Sequence, residues 1–252
     1  MISIDLSSRT ALITGATGEL GRTITRTFVR AGANVAVHYL KSAETAQMLA
    51  DEAKKAGVEA VAVQADVTEA ADVASMKQKV VEAIGAPDII VDNAVIQYEW
   101  TKVLEQDPAD YEGQFRSCVL QNVHMAQAFV PAMREKKWGR FIALNTECSM
   151  QYWENQSAYI SGKRGMDGVL RVLAREIGGD GITVNQVAPG YTITDHHPDT
   201  PEIQWYIDRV PLKRRGTAQE IANVIIFLAS DLASFITGAY IPVSGGNVMP
   251  AI

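Results

Sequence analysis

With 252 residues, 47% hydrophobic and 21% charged, the chain is long enough for one large α/β core and short for two. Its formal net charge of -6 argues against nucleic acid or an anionic membrane as a main partner, because both reward excess Lys and Arg. No apolar run reaches membrane-spanning length, Asp5 precedes the first strand without a basic flank, and Cys118 and Cys148 make neither a disulfide framework nor a metal-ligand spacing. The expectation is a metal-free, cytoplasmic protein with no secretory signal.

The apolar run Thr10 to Thr14 stops at Gly15, and Leu20, Ile24 and Phe28 follow at helical spacing up to Gly32, which predicts strand, turn and helix. Val35 to Tyr39 reads as a second strand, followed by a helix from about Ser42 to Lys55. Ala60 to Gln64 reads as a third strand, and Val73, Met76, Val80 and Ile84 stripe the next helix. Ile89 to Val91 is a short strand ending in Asp92-Asn93-Ala94. A long helical region from about Tyr111 to Lys137 leads to a strand at Arg140 to Leu144, then to a helix carrying Tyr159 and Lys163. Thr183 to Val187 is a sixth strand, an irregular segment runs to about Pro211, a helix carries Ile221 to Leu228, and Tyr240 to Val243 is a last strand. The strands are continuous apolar runs and alternate with helices. The fold class is therefore α/β: one Rossmann-type, doubly wound parallel sheet of about seven strands with helices on both faces, forming a single domain over 1–252. The basic clusters Arg134 to Lys137 and Lys213 to Arg215 read as solvated surface.

Gly15, Gly18 and Gly21, with Thr17, Glu19 and Leu20 between them, stand between the first strand and the first helix. Glycines there permit a tight turn, and helix N-terminal amides can bind a pyrophosphate, so this is the candidate nucleotide turn. The second strand ends in Tyr39-Leu40-Lys41-Ser42, with no carboxylate before Glu44 to hold a ribose 2′-hydroxyl. That favours NADP(H), with NAD(H) as the alternative; Lys41 as a solvated lysine and Ser42 as a helix cap are the bland readings.

Tyr159 and Lys163 lie four apart and share a helical face. A cation beside a phenol stabilises the phenolate, which suits a tyrosine to proton transfer with a carbonyl or alcohol oxygen.

On these residues the chain resembles the short-chain dehydrogenase/reductase family over nearly its whole length, in the branch of about 250 residues that includes 3-oxoacyl-carrier-protein reductases and carbonyl reductases. The resemblance implies that Tyr159 is the general acid/base and that Lys163 lowers its pKa and holds the nicotinamide ribose. It implies that Asp66-Val67 contacts the adenine, that Asn93-Ala94 occupies the Asn-Asn-Ala-Gly position, and that Pro189-Gly190, with Thr192 and Thr194, packs on the nicotinamide. Ile236 through Gly246 resembles a C-terminal strand that commonly builds a tetramer interface, so a homo-oligomer, tetramer or dimer, is expected. Several positions depart from the pattern. Glu19 stands where this branch has glycine, and Asp92 and Val95 replace the outer residues of Asn-Asn-Ala-Gly. Thr146 stands thirteen residues before Tyr159, where the family has its catalytic serine, and Cys118 stands where it has an active-site asparagine; Asn122, one turn later, is the candidate substitute.

The implied activity is NADP(H)-dependent interconversion of a small-molecule carbonyl and a secondary alcohol, with Thr146 orienting the substrate. The alternative is a nucleotide-binding protein that has lost efficient catalysis. Tyr191, His196, His197, Trp205 and Tyr206 fall on a predicted lid at about 191–211. With Tyr98, Trp100, Gln151, Trp153 and Glu154 they are the candidate substrate residues, the paired histidines facing either substrate or solvent.

Overall fold

In the computed structural model, which describes residues 4–195, 197–198, 200 and 203–249, seven strands form one parallel sheet in the order β3-β2-β1-β4-β5-β6-β7. They are β1 (Thr10–Ile13), β2 (Asn34–Tyr39), β3 (Ala60–Gln64), β4 (Ile89–Asp92), β5 (Gly139–Leu144), β6 (Ile182–Pro189) and β7 (Tyr240–Val243). Strand side chains alternate faces, so a sheet covered on both sides needs apolar residues at every position. Ile13 and Ile89 accordingly point into one layer and Leu12 and Ile90 into the other.

The first layer is closed by Ile24 and Phe28 of α1 (Glu19–Arg30), Leu49 of α2 (Ala43–Lys55) and Ile221 and Ile225 of α9 (Ala218–Ala229). The second is closed by Val73 and Met76 of α3 (Ala70–Ile84), Met125 and Phe129 of α5 (Gln121–Lys136), and Met166 and Leu170 of α7 (Ser157–Ile177). Each fully buried side chain of this size contributes about 1.5–3 kcal/mol relative to exposure. Among the described residues no helix is long and apolar enough to cross a membrane.

Three helical features depart from the expected pattern. The long helix predicted from about Tyr111 starts earlier, as α4 (Pro108–Gln114), because Asp107 caps it by accepting the Ala109 N–H and Pro108 fits its first turn. It then passes through a π-helical stretch, Phe115–Leu120, before α5. That stretch packs closely on α7, where a Cβ at Gly165 would lie 2.9 Å from Val119 Cγ2. Two short helices, α6 (Cys148–Gln151) and α8 (Gln204–Ile207), lie in segments with too few residues to show a helical stripe. Strand order reverses between β1 and β4, and the crevice beyond their C-terminal ends is where such sheets bind ligands.

Candidate active site

The glycine turn is held from three sides. The Gly15 N–H donates to His38 Nδ1 at 2.9 Å, and His38 Nε2 is 3.0 Å from Ala65 O. Because Nδ1 accepts, Nε2 carries the proton, and the ring bridges turn, β2 and the end of β3. Burial pushes the His38 pKa down to about 4, so the imidazole is neutral. From β4, Asn93 Nδ2 donates to Thr14 O and Gly15 O, both at 3.0 Å, while Thr14 Oγ1 accepts the Asn93 and Ala94 N–H groups. Gly15 has φ 59°, and a Cβ on Gly21 would lie 2.2 Å from Gly15 O, so α1 must approach the turn with a glycine. Gly18 is the N-cap of α1 and no side chain caps that helix end.

Around this turn, Tyr39 is half-buried and Lys41 and Ser42 are exposed. Ser42 is the N-cap residue of α2, as the bland reading of it expects, but its side chain makes no capping hydrogen bond. Asp66 Oδ1 accepts from Thr68 N and Oγ1, and Val67 is buried.

Tyr159 and Lys163 share one face of α7, with Lys163 Nζ 5.8 Å from the centre of the phenol ring. Lys163 is buried and its Nζ donates to Leu144 O at 2.5 Å. Asn145 fixes this arrangement: its Nδ2 donates to Lys163 O (3.1 Å) and Gln186 Oε1 (2.7 Å), and its Oδ1 accepts the Thr146 N–H (2.8 Å). Thr146 is thereby placed at the phenol, and its carbonyl accepts from Tyr240. On the other side Trp100 stacks on Tyr159 at 5.8 Å and 25°, and the Tyr159 N–H donates to the Tyr98 hydroxyl at 2.7 Å.

The phenol differs from expectation. Burial raises its pKa above the ordinary value, Cys148 adds to this, and the Thr146 hydroxyl pulls the other way. One Lys163 ammonium hydrogen is donated to Leu144 O, and burial favours the protonated phenol.

Asp92, at the end of β4, is buried, and neither carboxylate oxygen has a hydrogen-bond partner among the described residues. Burial raises its pKa well above the ordinary carboxylate value, with the Lys163 charge drawing it down. Cys118 is buried, and its Sγ donates a weak hydrogen bond to Gln114 Oε1 at 3.8 Å. Asn122, the candidate substitute one turn later, is buried, and its Oδ1 has no hydrogen-bond partner among the described residues. Its Nδ2 donates to Cys118 O at 2.7 Å, because i and i+4 groups on a helix meet each other first.

On the substrate side, β6 ends at Pro189, and the Gly190 N–H bonds Val243 O at 3.0 Å. Thr192 Oγ1 donates to Gly190 O at 2.9 Å, whereas Thr194 Oγ1 is buried and has no hydrogen-bond partner among the described residues. Tyr191, Tyr206, Trp205 and Trp153 form a chain of edge-on ring contacts with centroids 5.2–5.9 Å apart. His197 meets Tyr191 at 6.0 Å, and the predicted His196 lies outside the described residues. Arg215, expected on a solvated cluster, is buried. Its guanidinium donates to the carbonyls of Tyr191, Thr192, His197 and Pro198 and so shapes the segment after β6. Lys213 and Arg214 are exposed as expected.

Sequence reasoning missed His38, Asn145, Glu147 and Arg215. The usable signal was a polar residue interrupting or ending a buried strand, which holds for His38 and Asn145. Glu147 and Arg215 sit in irregular segments and carry no such signal.

A family model described as enoyl-(acyl carrier protein) reductase matches residues 15–247. The chain is 35% identical over 255 residues to a 3-oxoacyl-[acyl-carrier-protein] reductase FabG of Staphylococcus epidermidis, covering 96% of this chain and 100% of the relative. It is 31% identical to a 7alpha-hydroxysteroid dehydrogenase of Escherichia coli, covering 98% and 96% of the two chains. A solved structure of a 7alpha-hydroxysteroid dehydrogenase, complexed with NADH and 7-oxo glycochenodeoxycholic acid, superposes with a TM-score of 0.89 at 30% identity, over 98% of this chain and 96% of that one. The chain belongs to the short-chain dehydrogenase/reductase family, whose members are oxidoreductases.

Proposed function

We propose that the protein is an NADP(H)-dependent oxidoreductase that interconverts a small-molecule carbonyl compound and a secondary alcohol. The observation that carries this reading is the placement of Thr146, Tyr159 and Lys163 together, where burial favours the protonated phenol. In the reduction direction the Tyr159 hydroxyl gives that proton to the substrate oxygen, Thr146 Oγ1 orients the same oxygen, and the Lys163 charge offsets the phenolate left behind. The nicotinamide, when bound, supplies the hydride.

A dinucleotide fits the residues present. Gly15, Thr17, Gly18, Glu19, Leu20 and Gly21 form a turn whose glycine at 21 admits no side chain, and the uncapped start of α1 suits a pyrophosphate. The buried, unpartnered Thr194 Oγ1 suits the nicotinamide carboxamide, beside Pro189, Gly190 and Thr192. Asp66 and Val67 suit the adenine, and Asn93 and Ala94 line the same crevice. NADP(H) is favoured over NAD(H) by half-buried Tyr39 followed by exposed Leu40, Lys41 and Ser42, where a 2′-phosphate meets a cation and a free hydroxyl. The ratio of NADP to NAD affinities tests this, and a clear preference for NAD removes it.

Substrate residues are assigned to Tyr98, Trp100, Trp153, Tyr191 and Trp205. A cytoplasmic homo-oligomer, dimer or tetramer, built from one domain per chain is supported by exposed Leu232 and Phe235 near the C-terminal strand. Sedimentation tests the assembly. Replacing Tyr159 by Phe tests the chemistry, and retention of most turnover rejects Tyr159 as the acid. The second reading, nucleotide binding without efficient turnover, rests on Cys118, whose thiol makes one weak contact. NADPH oxidation screened against a carbonyl panel separates the two.

A further inference from the structure

Glu147 is a buried carboxylate with no part in the activity proposed above. It follows Thr146 directly and leads into α6. Its N–H donates to Pro189 O at 3.0 Å. Its Oε1 accepts the Tyr206 hydroxyl at 2.7 Å, and its Oε2 accepts Asn247 Nδ2 at 3.1 Å. Tyr206, also buried and on α8, accepts the Tyr191 N–H on the same hydroxyl at 2.9 Å. Gly190 lies between them: a Cβ there would stand 2.7 Å from the Tyr206 oxygen and 3.2 Å from Glu147 Oε2. The turn that carries Thr146, the corner after β6 and the helix that carries Trp205 therefore meet at one hydrogen-bonded point.

An apolar pair would fill this space at lower desolvation cost, since a buried carboxylate is expensive even when its lone pairs are used. Burial does raise the Glu147 pKa, and the Tyr206 and Asn247 donors pull it back. What a carboxylate and a phenol supply that two apolar side chains do not is direction: the bond forms in one relative placement of α8 and the Thr146 turn.

We propose that Glu147 and Tyr206 are a positioning pair for the reaction, holding the aromatic wall of Tyr191 and Trp205 in register with Thr146 and the Gly190 corner. The kinetic part of this proposal rests on the carbonyl and alcohol chemistry proposed above; the structural part does not. Tyr206→Phe keeps the ring contacts and removes the hydroxyl. Loss of a bond to a charged acceptor is expected to raise KM for the fastest carbonyl of the screening panel by roughly ten-fold, with a smaller change in kcat. Trypsin cleavage after Arg209, Lys213 or Arg214 should speed up by a similar factor of about ten, while the urea unfolding midpoint stays close to that of the parent. Glu147→Gln retains an oxygen acceptor for Tyr206 and should keep KM within about three-fold. A Tyr206→Phe protein with parental KM and parental cleavage overturns the proposal. So does one that fails to fold or shows only a lowered midpoint, since either assigns the pair a purely structural role. If the parent reduces no carbonyl in the panel, the proposed activity falls, and the trypsin comparison still decides whether the pair ties α8 down.

Discussion

Gly15 donates its amide hydrogen to Nδ1 of His38 at 2.9 Å, so a neutral imidazole holds the first glycine of the turn between β1 and α1. The folded pKa, pushed down to about 4 by burial, lies below the value of 6.5 the residue has when free. As pH falls through that window the unfolded chain takes up a proton that the folded chain refuses. The His38 contribution is therefore complete above pH 6.5 and lost as pH drops towards 4, an effect of about 3 kcal/mol. Urea unfolding of the parent and of His38→Gln at pH 7 and pH 4.5 checks this: the parent should lose more stability on acidification than the variant.

Gly21→Ala should abolish tight nucleotide binding, because its Cβ would sit 2.2 Å from Gly15 O. The expected stability loss is about 1–3 kcal/mol, as for other overpacked sites. Gly168→Ala is the control: nothing lies within 4 Å of a Cβ there, the site is exposed in α7, and the helix should gain about 0.5–1 kcal/mol. Calorimetric titration with NADPH and thermal unfolding read both.

Asp92→Asn isolates the buried acid beside Lys163. Its folded pKa is raised above 3.8, so the wild-type carboxyl favours the fold at low pH and this contribution is lost as pH rises through the folded value. The stability of the parent relative to Asp92→Asn should therefore decline from about pH 4 upward. A pH-independent difference between the two unfolding curves would show that the carboxyl titrates in the fold as it does in the unfolded chain, and would remove the burial effect.

Cys118→Ser and Cys118→Ala should leave kcat within about three-fold of the parent, since the thiol's partner is Gln114 at 3.8 Å, a weak contact. Steady-state rates at saturating NADPH check it. A loss of a hundred-fold would make the thiol part of the proton path after all. Asn122→Ala should be more harmful to stability, because the Cys118 carbonyl would lose its 2.7 Å donor inside the core.

The alternation of apolar runs with helical stripes was legible in the chain, and with it the parallel sheet, since those patterns depend on neighbours a few residues apart. The glycine turn and the Tyr159 and Lys163 pair were legible for the same reason, being local spacings. Tertiary structure decided what those groups experience. Burial by side chains from other segments favours the protonated phenol, and the Lys163 ammonium meets Leu144 O. Arg215 sits in the sequence beside two exposed cations and in the fold against four carbonyls from the segment after β6. Asn122 is bound to its own helix, and His38 reaches a glycine twenty-three residues away. Burial and long-range hydrogen bonds set charge states and orientations, and neither is a property of a local spacing.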